Sequence, residues 1–198
     1  MQPLELYIHI PFCVKKCAYC DFLSGPAGEK EKEEYVKMLV DEIRNCPDTV
    51  QNYRVISIFF GGGTPSLLTG EQIGRLMDTV REIFTLDEDA EITMEMNPGT
   101  VTEEKLRKYR QAGVNRLSIG LQSVNDEELR LLGRIHTYEE FREAYHLARA
   151  NGFSNINVDL ISAIPGQTVE SWRRTLEQVM ALSPEHISAY SLLSLIHI

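Results

Sequence analysis

The sequence lacks any apolar stretch long enough to span a bilayer. Its longest segments without a charged side chain are residues 55–70 and 186–198. Glycine, proline and threonine interrupt the first segment, and the second has only 13 residues. Because a membrane-spanning helix needs about 20 predominantly apolar residues, we expect no transmembrane segment.

The sequence also lacks an excess of basic residues. It has 20 Lys and Arg against 29 Asp and Glu, which gives a formal net charge of -9. Nucleic-acid binding normally depends on clustered positive charge, so we expect no nucleic-acid partner. The amino terminus shows neither a basic region nor a small-residue cleavage site, which favours a cytoplasmic location. With 43% hydrophobic and 25% charged residues in 198, the composition is typical of one globular domain.

Cysteine is scarce but concentrated. Three of the four cysteines lie within residues 13–20. So few cysteines, so closely spaced, cannot form a disulfide framework for a domain of this size. In a reducing compartment such a cluster indicates metal binding or catalysis.

Strand-length apolar segments alternate with helix-like segments along the whole chain. The predicted strands are residues 4–10, 55–60, 92–96, 115–119, 156–161 and 186–190. Helical periodicity appears in residues 73–84 and 141–148, with capping boxes at Thr69/Gln72 and Thr137/Glu140 and helix-ending glycines at Gly113 and Gly152. Repeated βα units predict an α/β fold with a parallel sheet. A closed eight-unit barrel needs about 250 residues, so the six units predict a partial (β/α)6 TIM-like barrel.

The cysteine triplet is the sharpest chemical signal. Cys13, Cys17 and Cys20 can turn three thiolates toward one centre, and thiolates bind soft metals. Three thiolates without a fourth favour an iron–sulfur cluster that keeps one iron open to another ligand. The alternative is a structural zinc site completed by His9 or Cys46. We interpret Cys46 itself as an inert thiol and His9 as a core histidine.

Six motifs at the predicted strand ends carry a family resemblance. They are YIHIPFC (7–13), CDF (20–22), FGGGTP (60–65), GLQS (120–123), LGRIH (132–136) and DLIxxIPGQ (159–167). Together with the Cys-x3-Cys-x2-Cys spacing, they resemble the radical S-adenosylmethionine (SAM) superfamily. Within it they resemble the branch that contains oxygen-independent coproporphyrinogen III oxidase and the HemW-type heme chaperones. The resemblance implies a radical SAM core domain over residues 1–191.

The resemblance also implies cofactors and a site. In this family a 4Fe-4S cluster on the three cysteines leaves one iron to chelate SAM, whose cleavage gives a 5′-deoxyadenosyl radical. The corresponding cofactor-binding residues are Tyr7, Tyr19, Gly62, Gly63, Thr64, Glu95, Gln122, Arg134 and Asp159. Other roles stay open for some of them: a tight turn for the glycines, an internal salt bridge for Glu95 and core packing for Tyr7.

Two departures from the family pattern bear on function. The oxidases typically have a further cysteine two residues after the third, where this chain has Phe22. This favours a HemW-type chaperone, which binds heme as cargo in the full-length parent and transfers it to an acceptor protein that the sequence does not identify. The oxidase, an enzyme, is the alternative, and a zinc scaffold is the remote one.

The second departure concerns the end of the chain. Relatives continue into a carboxyl-terminal domain, so we interpret residues 192–198 as an atypical tail left by truncation or a shifted reading frame.

Overall fold

Six parallel strands form the sheet of this computed structural model, which describes residues 1–192. The strands are Gln2–Ile10 (β1), Tyr53–Gly62 (β2), Thr85–Met96 (β3), Arg116–Gln122 (β4), Asn155–Ser162 (β5) and His186–Ser191 (β6). They lie side by side in chain order, and every neighbouring pair is parallel. The sheet is a curved half-barrel, which confirms the predicted α/β fold. Because all strands run the same way, their carboxyl ends meet at one edge.

Helices connect successive strands. They are Glu29–Arg44 (α1), Gly70–Ile83 (α2), Glu103–Ala112 (α3), Asp126–Leu131 (α4), Tyr138–Ala150 (α5) and Val169–Ala181 (α6). The capping boxes predicted at Thr69 and Thr137 are present. Gly113 ends α3 with a φ of 107°, a left-handed conformation that favours glycine. No helix within residues 1–192 is both long and apolar enough to cross a membrane.

One apolar core joins the strands to the helices. Phe60 and Met94 of the sheet and Leu76, Tyr109 and Phe141 of the helices are fully buried within it. Burying a side chain of this size contributes about 1.5–3 kcal/mol. The core therefore holds the strand ends in fixed relative positions.

Two features differ from the sequence-based expectation. Strand β3 begins at Thr85 rather than at Ile92, and its first half is charged. Helices α4 and α6 lie in segments where neither helical periodicity nor a helix-ending residue was identified from the sequence. Residues 193–198 of the predicted tail lie outside the described residues, whereas Leu192 donates its N–H to the carbonyl oxygen of Ser162 at 2.8 Å.

Candidate cofactor site at the strand ends

A cavity of about 400 Å³ lies at the carboxyl ends of the strands. The predicted site residues that line it are Cys13, Cys17, Tyr19, Cys20, Gly62, Gly63, Thr64, Glu95, Gln122, Arg134 and Asp159. They come from the ends of five strands, β1 to β5, and from the connections that follow those strands. The parallel sheet brings them together because the carboxyl ends of all five strands meet at the same edge.

The cysteine loop is held in place by backbone hydrogen bonds at both ends. Cys13 donates its N–H to the carbonyl oxygen of Gly25 at 2.9 Å, and Ala18 donates to that of Leu132 at 3.0 Å. All three cysteines are half-buried free thiols. The loop thus presents three sulfur atoms to the cavity.

The three sulfur atoms line the cavity without converging on one point. Within residues 1–192, no three Cys, His, Asp or Glu side chains are grouped closely enough to hold a single metal ion. Each thiolate of a 4Fe-4S cluster binds a different iron, so cluster ligands need not meet at one ion.

The glycine segment after β2 passes close to the cysteine loop. Gly62 has a φ of 113°, and a Cβ there would lie 2.5 Å from the His9 ring. A Cβ at Gly63 would lie 2.6 Å from the carbonyl oxygen of Phe12. Gly63 donates its N–H to the carbonyl oxygen of Ile10 at 2.8 Å. Only glycine lets the two backbones approach this closely.

Glu95, on β3, brings a carboxyl group to the cavity wall. Its Oε2 accepts the Gly62 N–H at 3.0 Å. Burial raises the pKa of Glu95 to about 7, the Gly62 hydrogen bond lowers it, and the nearby Asp159 raises it further. The group therefore changes charge near neutral pH and would favour a cationic partner.

Asp159, on β5, is held by neighbouring polar side chains. Ser118 donates its hydroxyl to Oδ2 at 2.9 Å, and Asn157 donates its amide to Oδ1 at 2.8 Å. Burial raises the pKa of Asp159, while these hydrogen bonds oppose the increase. Asp159 can accept further hydrogen bonds from a ligand in the cavity.

Arg134 follows α4 and supplies a positive charge. Its Nη2 donates to Asn97 Oδ1 and to the Gly120 carbonyl oxygen, both at 2.5 Å. Its Nη1 lies 3.8 Å from Cys17 Sγ and 3.5 Å from the Tyr19 hydroxyl. Among the described residues, its buried Nε has no hydrogen-bond partner. Arg134 therefore retains a donor for an additional acceptor.

Tyr19 and Gln122 complete the part of the site nearest Arg134. Burial raises the pKa of Tyr19 to about 12, although Arg134 acts in the opposite direction, so the phenol remains protonated at neutral pH. Gln122 is buried and has a φ of 75°, at an irregularity in the pairing of β4 with β5. A non-glycine residue in this conformation is strained, which is common where a side chain is redirected toward a site.

Tyr7 and Cys46 lie apart from the cavity lining. Tyr7 is 59% exposed; its ring stacks on Phe59, and its hydroxyl lies 3.2 Å from Nδ1 of His9. His9 is half-buried, and its Nε2 lies 3.2 Å from the Leu23 carbonyl oxygen. Cys46 directs its thiol to the Glu42 carbonyl oxygen.

Sequence reasoning missed two lining side chains that form hydrogen bonds with predicted site residues. Asn97 and Ser118 were assigned no role, yet each bonds a predicted site residue. Asn97 directly follows β3 in a segment that ends at the same sheet edge, which is the signal that could have identified it. Ser118 lies within β4, where its side chain direction depends on the pairing register.

The comparison with family models agrees with this geometry. The model described as "Radical SAM superfamily" matches residues 7–179. The chain belongs to the radical SAM superfamily. Members of this superfamily bind a 4Fe-4S cluster and SAM.

Curated relatives and a solved structure are also similar to this radical SAM chain. Heme chaperone HemW of Escherichia coli is 47% identical over 193 residues, covering 97% of the chain and 51% of the relative. Heme chaperone HemW of Haemophilus influenzae is 42% identical over 197 residues, with the same two shares covered. Coproporphyrinogen III oxidase (HemN) from Escherichia coli has a TM-score of 0.90 and 37% identity, over 98% of this chain and 45% of that one. The chain therefore spans about half the length of these proteins.

The lining of the cavity suits the two groups that radical SAM proteins bind. Three thiols offer soft ligands for iron. The Arg134 Nε is a buried donor without a partner among the described residues, which fits the carboxylate of an amino acid. Glu95 offers an acceptor for an ammonium group, and the glycine segment leaves its backbone open to close approach.

Proposed function

We propose that this chain is the iron–sulfur core of a radical SAM heme chaperone of the HemW type. The observation that carries the proposal is the single cavity that holds the three cysteines together with polar side chains from the other strand ends. The 47% identity with a HemW heme chaperone supports the choice within the superfamily.

In this proposal Cys13, Cys17 and Cys20 bind three irons of a 4Fe-4S cluster, and the fourth iron is left for SAM. When bound, the cluster supplies the electron for the chemistry of SAM. Arg134 would hold the SAM carboxylate and Glu95 its ammonium group. The remaining proposed contacts are Gly62, Gly63 and Thr64 near the amino acid end, Gln122 and Asp159 as hydrogen-bond partners, and Tyr19 as a flanking ring. Tyr7 lies outside the cavity lining and is not among these contacts.

The charges of the site support this assignment. An α-amino acid carries a carboxylate and an ammonium group. The cavity lining offers three cationic side chains, Lys15, Lys16 and Arg134, and two carboxyl groups for them. Binding of an ammonium group would stabilise the charged form of Glu95 and so lower its pKa from about 7. A ligand with both charges would therefore offset part of the unfavourable burial of these side chains.

Heme is the proposed cargo, and an unidentified heme-acceptor protein is the proposed partner. Two aromatic side chains at the cavity mouth are largely exposed. Phe22 is 67% exposed and Tyr190 is 61% exposed. Exposed aromatic side chains at a cavity mouth fit a flat apolar ligand such as a porphyrin. We propose residues 1–191 as the core domain, and the cytoplasmic location stays a prediction.

A second candidate function is the oxidative decarboxylation of coproporphyrinogen III. The structural likeness to an oxidase with a TM-score of 0.90 favours it. Against it, Phe22 stands where the oxidases typically have a further cysteine. The remote alternative, a zinc scaffold, would bind zinc on the same thiols but would show no visible absorption from a cluster.

Two assays separate these functions. After anaerobic reconstitution with iron and sulfide, the chain is titrated with hemin and, separately, incubated with coproporphyrinogen III, SAM and a reductant. Both assays are repeated on a form extended to the length of the relatives. We expect heme binding by the extended form and no decarboxylated product from either form. Steady product formation would instead favour the oxidase.

A further inference from the structure

Asn97 connects a charged side chain to a cysteine of the proposed cluster. Its Oδ1 accepts from Nη2 of Arg134 at 2.5 Å, and its Nδ2 donates to Thr64 Oγ1 at 2.9 Å. The Thr64 hydroxyl in turn donates to Cys13 Sγ at 3.6 Å. Four side chains from four separate segments thus form one continuous series of hydrogen bonds.

The direction of every bond in this series follows from chemistry. A guanidinium group only donates, so the atom of Asn97 that faces Arg134 must be the carbonyl oxygen. The amide nitrogen then faces Thr64 and donates to its hydroxyl oxygen. Because that oxygen already accepts, the hydroxyl proton is free to point toward the sulfur of Cys13. Thr64 is only 2% exposed, so water does not compete for this proton.

Hydrogen bonds to the backbone of Asn97 fix the position from which its side chain extends. Its N–H donates to Ser66 Oγ at 3.2 Å, and its carbonyl oxygen accepts from Thr100 Oγ1 at 2.7 Å. Lys105 Nζ donates to the carbonyl oxygens of Ser66 and Thr100 at 2.8 and 3.0 Å. This loop therefore fixes where the amide can reach.

We propose that Asn97 is a positioning residue that directs the Thr64 hydroxyl onto Cys13 and thereby raises the reduction potential of the bound cluster. This inference rests on the proposed function, because it requires a cluster on Cys13. Hydrogen bonds to ligand sulfur atoms stabilise the reduced, more negative cluster and so raise its potential. Asn97 itself does not touch the sulfur, and it acts only through Thr64.

The decisive variant is Asn97→Asp. A carboxylate still pairs with Arg134, which preserves the packing, but it has only acceptors. The Thr64 hydroxyl would turn its proton to the carboxylate and leave Cys13 without its hydrogen bond. We expect a lower midpoint potential in a titration of the reconstituted protein that is followed by electron paramagnetic resonance, without SAM.

Further variants separate the hydrogen bond from the added charge. Thr64→Val removes the hydroxyl without changing charge and should also lower the potential, whereas Thr64→Ser keeps the hydroxyl and should preserve it. Asn97→Asp should lower the potential less in the Thr64→Val background than alone, because there is no proton left to redirect. Asn125→Asp is the matched control, since it adds the same charge at the amino-terminal cap of α4 and should leave the potential unchanged.

The outcomes distinguish this inference from the proposed function. If the wild-type chain assembles a cluster, and neither Asn97→Asp nor Thr64→Val changes its midpoint potential, the role of Asn97 is overturned. The proposed function still stands in that case. Fully additive shifts overturn it too, because they would mean that the Asn97→Asp substitution acts by its charge alone. If the wild-type chain assembles no cluster on Cys13, the cofactor assignment fails and the inference fails with it.

Discussion

Replacing Glu95 with Gln is expected to change how stability depends on pH. In the folded chain, burial raises the pKa of Glu95 from its ordinary value of 4.5 to about 7. Gln keeps an oxygen for the Gly62 N–H and has nearly the same shape, but it does not titrate. The comparison therefore isolates the burial of one negative charge.

The sign follows from proton binding. Between pH 4.5 and 7 the folded chain holds the Glu95 proton and the unfolded chain releases it, so the free energy of unfolding falls as pH rises. A displacement of the pKa from 4.5 to about 7 corresponds to about 3 kcal/mol. The Glu95→Gln variant does not lose stability in this way, because Gln does not titrate. The free energy of unfolding of Glu95→Gln minus that of the wild type should therefore increase by about 3 kcal/mol from about pH 4.5 to about pH 8.

Denaturant unfolding of the cluster-free chain under reducing conditions, at several pH values, measures the difference. Glu88→Gln is the control, because Glu88 is an exposed carboxylate on the same strand. Its stability should follow that of the wild type at every pH. A difference between Glu95→Gln and the wild type that stays constant with pH would refute the assigned burial of this charge.

Two further predictions concern the cysteine loop and the core. Gly63→Ala places a Cβ 2.6 Å from the Phe12 carbonyl oxygen, so we expect the iron and sulfide content after reconstitution to fall sharply. Gly74→Ala is the control and should preserve this content, because no atom lies within 4 Å of the new Cβ. Equal iron and sulfide contents in the two variants would contradict the steric argument. Phe141→Ala removes a fully buried ring and should lower the free energy of unfolding by about 3–5 kcal/mol. A loss below about 1 kcal/mol in denaturant unfolding would contradict its place in the core.

The architecture could be predicted because apolar periodicity and capping residues are local signals. All six strands were found from apolar runs. The first half of β3, residues 85–91, was missed because its sequence is dominated by acidic residues. This half of β3 pairs with β2 across a register shift between Val55 and Ser57. A register shift produces no periodic pattern of apolar residues that could be recognised in the sequence.

The site could be predicted only in part. The cysteine spacing is a local signal, and family motifs supplied the other positions. The role of Asn97 depends on Arg134, which is 37 residues away, and on the register that brings β3 beside β4. Spacing along the chain carries no information about such a contact. The same limit applies to Ser118, whose partner Asp159 lies on the adjacent strand.

The central claim is that Cys13, Cys17 and Cys20 hold a 4Fe-4S cluster with one iron open to SAM. The most direct test records the electron paramagnetic resonance spectrum of the reduced, reconstituted chain before and after SAM is added. We expect a 4Fe-4S signal whose shape changes with SAM, its loss in Cys17→Ala, and its retention in Cys46→Ala. A four-iron signal that persists in Cys17→Ala, or that SAM leaves unchanged in the wild type, would contradict the account.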